Sequence, residues 1–440
     1  MIPKITTSTV YSTLGNNSSL VPLAIKDIAN SCGLTAASYM SGDDAEGKDR
    51  FIDEFGTQAI WLWGIPAYKK VLDVALFKPA KLDPEVDARI LKDANILKLA
   101  KKYAPNDKIK NSLKAVAEHQ TKFKALTVAK FAASTILTAG TYLGLTKFRH
   151  NYTEEKIKKD FFEKQKAKQN NKNKDANIPF SSAFSNVHNL TNKNVSFTGG
   201  VQDFIFDPVK NLMLVDGAIT GERLTHAKNP QDFLGYTIKE GFFWAFMYFA
   251  GPALAKALEK HADKKGKSID LDSRVIFGDD LPKAFQNKNN YLVNQIKEFR
   301  KAATDDAKLY EFAVNPKENN LIIKLAKDSD VIQMLKEDKL FFAKKTNKVD
   351  TRKYIDLNEL RGVCDKVEKL FNQYQKSSLS LNDFLNSVKS LKKASIIKNI
   401  GACIGALGIV APAIMLGLRK LNPDYQVRAD IEKKLAAQAA

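Results

Sequence analysis

The sequence predicts a mainly α-helical membrane protein, built from two duplicated helical hairpins and an inserted soluble helical region that carries a short β-hairpin. Three observations predict it. Four apolar stretches stand out from a lysine-rich background, these stretches align in pairs, and one is as long as a bilayer core is thick.

The opening residues, Met-Ile-Pro-Lys-Ile-Thr-Thr-Ser-Thr-Val-Tyr, are polar and hydroxyl-rich. They lack the apolar run and small-residue cleavage site of a secretory leader, and neither end carries a lipidation box. No cleavable signal peptide is expected, so membrane insertion must come from internal segments.

The first apolar stretch, Phe55 to Tyr68, reads FGTQAIWLWGIPAY and stops at Lys69 and Lys70. The second, Phe131 to Thr146, is uncharged. The third, Gly241 to Ala255, reads GFFWAFMYFAGPALA, and the fourth, Asn399 to Leu418, runs 20 residues without a charge. A helix of that length spans roughly 30 Å, the thickness of a hydrocarbon core. Shorter stretches also suit buried helices of a soluble core; the fourth shows no polar stripe to support that reading.

Trp61, Trp63, Trp244 and Tyr248 read as amphipathic rings at a lipid interface. Pro66 and Pro252 each follow a glycine within two residues, which permits a kink that neighbouring helices repair.

Setting Pro66 on Pro252 also sets Glu54 on Glu240. Leu143-Gly-Leu-Thr-Lys147 matches Leu416-Gly-Leu-Arg-Lys420, and Tyr152 then meets Tyr425. The two offsets differ by roughly 90 residues, which implies an insertion inside the second copy. The expected organisation is residues 1–170 as copy one and 171–200 as a disordered linker. Residues 201–265 and 395–440 form copy two, and 266–394 the inserted region. Gly140 with Gly144 and Gly401 with Gly405 form G-x-x-x-G pairs that let helices approach closely.

Within copy one, Asp83 with Pro84 reads as a helix start, and a second soluble helix begins near Asn106. In the insertion, Tyr291–Ala303 and Leu357–Gln375 carry helical periodicity, and Ser380 to Asp383 opens another helix. Leu309–Val314 and Leu321–Leu325 are expected to pair as the hairpin.

The formal charge is +20, with 69 basic and 49 acidic residues. Lysines beside apolar segments suit anionic headgroups. Nucleic acid is the weaker partner, because no recognition helix or aromatic–basic box accompanies the charge. Cys32, Cys364 and Cys403 form no disulfide framework. The five histidines are scattered, and no phosphate loop, serine elbow or zinc motif is present. The expectation is therefore no enzyme, no cofactor and no metal.

The candidate functional residues are Glu54, Glu240 and Lys239, with Asp216 and Arg223 two turns apart ahead of the third stretch, and the kink prolines Pro66 and Pro252. A carboxylate inside a membrane segment is costly and functional by default. The plainer reading puts Glu54 and Glu240 at helix N-termini, where the macrodipole favours them, and pairs Asp216 with Arg223. The function expected is a multi-pass membrane protein, structural or scaffolding, that self-associates through its small-residue helices. The alternatives are a small transporter or channel, and a soluble helical protein that enters membranes conditionally.

Overall fold

A computed structural model describes residues 7–16, 20–41, 44–169, 205–225, 227, 230–286, 291–337, 344–421 and 427–439. The expected linker 171–200 and Tyr425 lie outside these residues. The protein is mainly α, with 82% of it helical and 2% in strands.

The helices sort into a bundle and a lobe. The lobe has an ordinary apolar core. Many of its helices start on a polar cap that takes up free backbone N–H groups. Helix α1 is Thr7–Leu14, and α2, α3, α4 and α5 are Val21–Met40, Asp44–Ala59, Ile65–Leu72 and Lys78–Ala80. Asp87 caps the short 3-10 turn Ala88–Lys92, Asp93 caps α6 (Ala94–Lys102) and Asn106 caps α7 (Asp107–Glu118). The expected helix start at Asp83 is a turn instead: the Asp83 carboxylate holds the Glu85 N–H, and the chain does not enter a helix there.

Helix α8 runs unbroken over Gln120–Gln169; α9 is Pro208–Thr225, α10 Pro230–Trp244 and α11 Ala250–Lys264. Next come α12 (Ser273–Phe277), α13 (Asp280–Gln286), α14 (Tyr291–Ala302), α15 (Asp306–Val314) and α16 (Leu321–Asp328). The segments expected to pair as a hairpin are thus α15 and α16, each opened by a polar cap, Asp305 and Asn320. The β-hairpin lies further on, where β1 (Met334–Glu337) pairs antiparallel with β2 (Lys344–Val349). The chain closes with α17 (Leu357–Lys376), α18 (Leu381–Gly405), α19 (Ala411–Leu421) and α20 (Val427–Ala439). The helix start at Ser380 is as expected: its hydroxyl accepts from the Asp383 N–H.

The lobe core is one cluster drawn from Phe77–Phe123 together with Ala262–Val388. It is therefore shared between the inserted region and the segment between α5 and α8. Three long helical runs reach this lobe and form the bundle together with α2, α8 and α9: Asp44 to Ala80, Pro230 to Lys264, and Leu381 to Leu421. Each contains a π turn placed by a proline. Ile60–Gly64 ends two residues before Pro66, Asp73–Phe77 two before Pro79, Ala245–Phe249 three before Pro252, and Ala406–Val410 two before Pro412. Proline lacks an N–H and crowds the carbonyl four residues back; widening the preceding turn to i→i+5 relieves both faults without breaking the helix.

Directions along the bundle follow from what each end touches. Helix α8 starts in the lobe at Phe123 and ends far from it, where Ile157 packs on Ala45, Ile431 and Leu435. Helix α9 also starts at the lobe, because Phe206 just before it packs against the lobe core. Both therefore run outward.

Polarity across the bundle is inverted. The residues facing inward include Asp27, Asn30, Ser31, Asp53, Glu54, Gln58, Arg149, Asp216, Arg223, Lys239 and Glu240, all buried. Facing outward are Trp63 at 71% exposure, Ile136 at 70% and Ile409 at 67%, with Val71, Leu143, Phe249 and Val410 among others. Leu381–Leu418 alone among the described helices is long and apolar enough to cross a membrane, and only 33% of its most apolar window is buried.

Candidate functional site: a buried ionic core

Four of the sequence candidates meet in one network. Glu54 and Glu240 each sit eleven residues into a helix, α3 and α10, so neither lies at a helix N-terminus. They face each other because Lys239 Nζ lies 2.6 Å from Glu54 Oε1 and 3.7 Å from Glu240 Oε1. Arg223 on α9 donates to Glu240 at 2.7 Å and to Asp53 at 3.1 Å. Arg149 on α8 reaches Asp53 at 2.9 Å and Asp49 at 3.8 Å, and Arg50 lies 3.5 Å from both Asp53 and Glu54. Thr153 donates to Asp49 and Thr220 to Glu240. The eight charged groups balance, four carboxylates against four cations. In so dry a place, that balance is what makes the cluster tolerable.

Asp216 and Arg223 do not pair, contrary to expectation. Arg223 spends its guanidinium on Asp53 and Glu240, while Asp216 accepts from the Tyr248 hydroxyl. Asp27 holds the corresponding place on α2 and accepts from Trp61 Nε1 at 2.9 Å. Trp61 and Tyr248 are therefore not interfacial rings. They are buried donors, and both project from π turns, where the local widening redirects a side chain into the core.

One further pair repeats this arrangement. Gln58 Nε2 donates to Ser31 at 2.7 Å, and Trp244 Nε1 to Thr220 at 2.9 Å. On the first helix of each set, the acceptors are four residues apart: Asp27 and Ser31 on α2, Asp216 and Thr220 on α9. On the second, the donors are Gln58 and Trp61 in one set and Trp244 and Tyr248 in the other.

Asp27, Asn30, Glu54, Trp61, Asp216, Arg223, Lys239 and Glu240 line a cavity of about 20 Å³. That is room for about one water molecule. The buried side chain of Asn30 is part of that lining. No three His, Cys, Asp or Glu side chains converge as a metal site among the described residues. The core acids direct their oxygens at arginine, lysine and aromatic donors.

Pro66 and Pro252 act at a distance, by setting the π turns that aim Trp61 and Tyr248. The four glycines singled out for packing do not pack within the chain: Gly140, Gly144, Gly401 and Gly405 have no neighbour within 4 Å of an added Cβ. The close crossing is elsewhere. A Cβ on Gly33 would sit 2.2 Å from the Gly408 carbonyl oxygen, and one on Gly408 would sit 3.0 Å from the Ala29 carbonyl oxygen. Helix α2 and the π turn Ala406–Val410 meet backbone to backbone there.

Sequence reasoning missed Asp27, Asp49, Asp53, Arg50 and Arg149. Asp27 gave a faint signal as a lone acid among small and apolar residues of α2, whereas Asp49, Arg50 and Asp53 read as an ordinary charged helix face in which Arg50 pairs with Asp53 and Glu54 three and four residues on. Compared with known protein families, curated proteins and solved structures, the chain matches none.

Proposed function

We propose that this chain is a non-enzymatic membrane protein of duplicated build, whose bundle lies in lipid while the lobe stands at one face. The observation that carries the reading is the inverted polarity of the bundle. Water offers nothing to the exposed ring of Trp63, Ile136, Phe249 and Ile409, whereas acyl chains do. A polar interior supplies the interhelical bonds that apolar packing cannot supply in a bilayer. Lys69, Lys70, Lys78 and Lys81, where the first long run meets the lobe, stand where anionic headgroups would lie. The repeated donor and acceptor pairs support descent of α2–α3 and α9–α10 from one hairpin. The open faces at Gly140–Gly144 and Gly401–Gly405 support a scaffold that self-associates.

Alkaline carbonate extraction tests this reading. The chain should stay in the washed membrane pellet, and removing Asn399–Leu418 should weaken retention. Release of the intact chain would overturn it.

A second reading is favoured by one observation. Because α8 and α9 both run outward from the lobe, an integral bundle asks the lysine-, asparagine- and serine-rich sequence between them to cross the bilayer. Such a sequence is ill suited to lipid. A helical protein that folds in water and enters a membrane conditionally avoids that crossing during synthesis. Single cysteines replacing Lys166 and Lys210 in a cysteine-free chain separate the two. The integral reading requires labelling from opposite faces at all times. The conditional reading requires a population with both sites accessible in solution.

A further inference from the structure

We propose that Asp27 and Asp216 are a matched pair of proton-binding carboxyls, one from each half of the bundle. The eight neighbouring ionic groups already balance, and each of these two aspartates is buried with a neutral donor as its hydrogen-bond partner, Trp61 for Asp27 and Tyr248 for Asp216. Neither has a lysine or arginine nitrogen at ion-pair distance among the described residues.

Lys26, also buried on α2, holds its ammonium by Gly251 on α11. Asp27 is within electrostatic reach of Glu54 on α3, Lys239 on α10 and Arg223 on α9, besides Trp61. Asp216 is within reach of Asp27, Glu240 and Arg223, besides Tyr248, and Tyr142 on α8 packs against the neighbouring Val215 and Ile219. The π turn Ala406–Val410 against α2 carries no titratable side chain. Two ionised carboxylates would therefore add a charge of minus two to a dry, balanced core, a cost that a group avoids by keeping its proton.

Two further observations point to a ligand site. The cavity that both aspartates line holds about 20 Å³ and is lined by the buried Asn30 carboxamide as well, so a protonated carboxyl finds an acceptor, or one bridging water, within the same space. The same aromatic-to-carboxyl contact also occurs twice, each time from a proline-set π turn. Loss of the protons would place a negative charge beside Trp61 and another beside Tyr248 and loosen the joint between the halves. The inference extends the transporter reading but does not depend on it or on the bilayer.

Infrared spectroscopy of the full chain in detergent tests it through the carbonyl stretch of protonated carboxyls. At neutral pH the wild type should show a buried, protonated band. Asp27→Asn and Asp216→Asn, which keep the acceptor oxygen, should each remove about half of it, and the double variant all of it. Stability of the singles should stay close to wild type. A wild type without the band, or a double variant that retains it, overturns the proposal. If a variant fails to fold, the wild type decides alone. The band must bleach reversibly as pH rises, together with a change in tryptophan fluorescence; a band indifferent to pH contradicts the assignment.

Discussion

Replacing Arg223 by methionine probes the ionic core at one of its four cations. Arg223 is 8% exposed and serves two carboxylates from different helices, Asp53 at 3.1 Å and Glu240 at 2.7 Å. Methionine preserves much of the volume and removes the charge, leaving four carboxylates against three cations. Breaking one side of a buried pair costs about 3–5 kcal/mol. The lower end applies here, because Asp53 keeps Arg149 at 2.9 Å and Glu240 keeps Lys239 at 3.7 Å. A loss of about 3 kcal/mol is therefore expected. Adding Glu240→Gln restores the balance, so the double variant should recover about half of that loss, a coupling of the size seen for residues in contact. Denaturant unfolding of the full chain in detergent, followed by tryptophan fluorescence, measures both. A single variant within about 0.5 kcal/mol of wild type, or a double variant that shows the plain sum of the two singles, would refute the balanced-core argument.

Two other expectations concern packing and pH. Gly33→Ala forces a methyl onto the Gly408 carbonyl oxygen and should cost about 2 kcal/mol; Gly140→Ala, which meets nothing, should unfold within about 0.5 kcal/mol of wild type in the same assay. Asp328, half-buried at the end of α16, is pushed up to about 6 by burial, then by Asp280, with Asp330 adding to it and Lys345 and Lys283 opposing. Its folded form holds a proton that the unfolded form releases near 3.8, so the stability it contributes is present at low pH and fades as pH rises toward about 6. Discounted for partial exposure, Asp328→Asn should stabilise the chain by about 1 kcal/mol at pH 7.5 and leave it unchanged near pH 3.5, as read from urea midpoints at both values.

Much of the helical layout was legible because periodicity and caps are local. Asn106, Ser380 and the pattern over Leu357–Gln375 each carry their own start signal. The misplaced hairpin shows the limit: Leu309–Val314 and Leu321–Leu325 are short apolar runs that fit strand or helix alike, and Asp305 and Asn320 decided for helix. The core was legible in part. Aligning the two prolines brought Glu54 and Glu240 to one level, and the fold does place them together. What could not be read was which cation each acid would meet, since Arg149 and Asp53 lie 96 positions apart and Arg223 and Asp53 170. Glycine spacing misled for a related reason. G-x-x-x-G records that two backbones can approach, and Gly33 and Gly408, outside any such motif, are where they do.

The most direct test of the lipid-facing exterior uses Trp63, 71% exposed, against Trp61, which is buried with its N–H bonded to Asp27. The full chain is reconstituted into vesicles whose acyl chains carry bromine, a contact quencher of tryptophan. The wild type should be quenched, and Trp63→Phe should lose most of that quenching while its remaining emission is unchanged. Equal quenching in brominated and plain vesicles would mean that Trp63 never touches an acyl chain, and the bundle would then have to bury its apolar ring against protein.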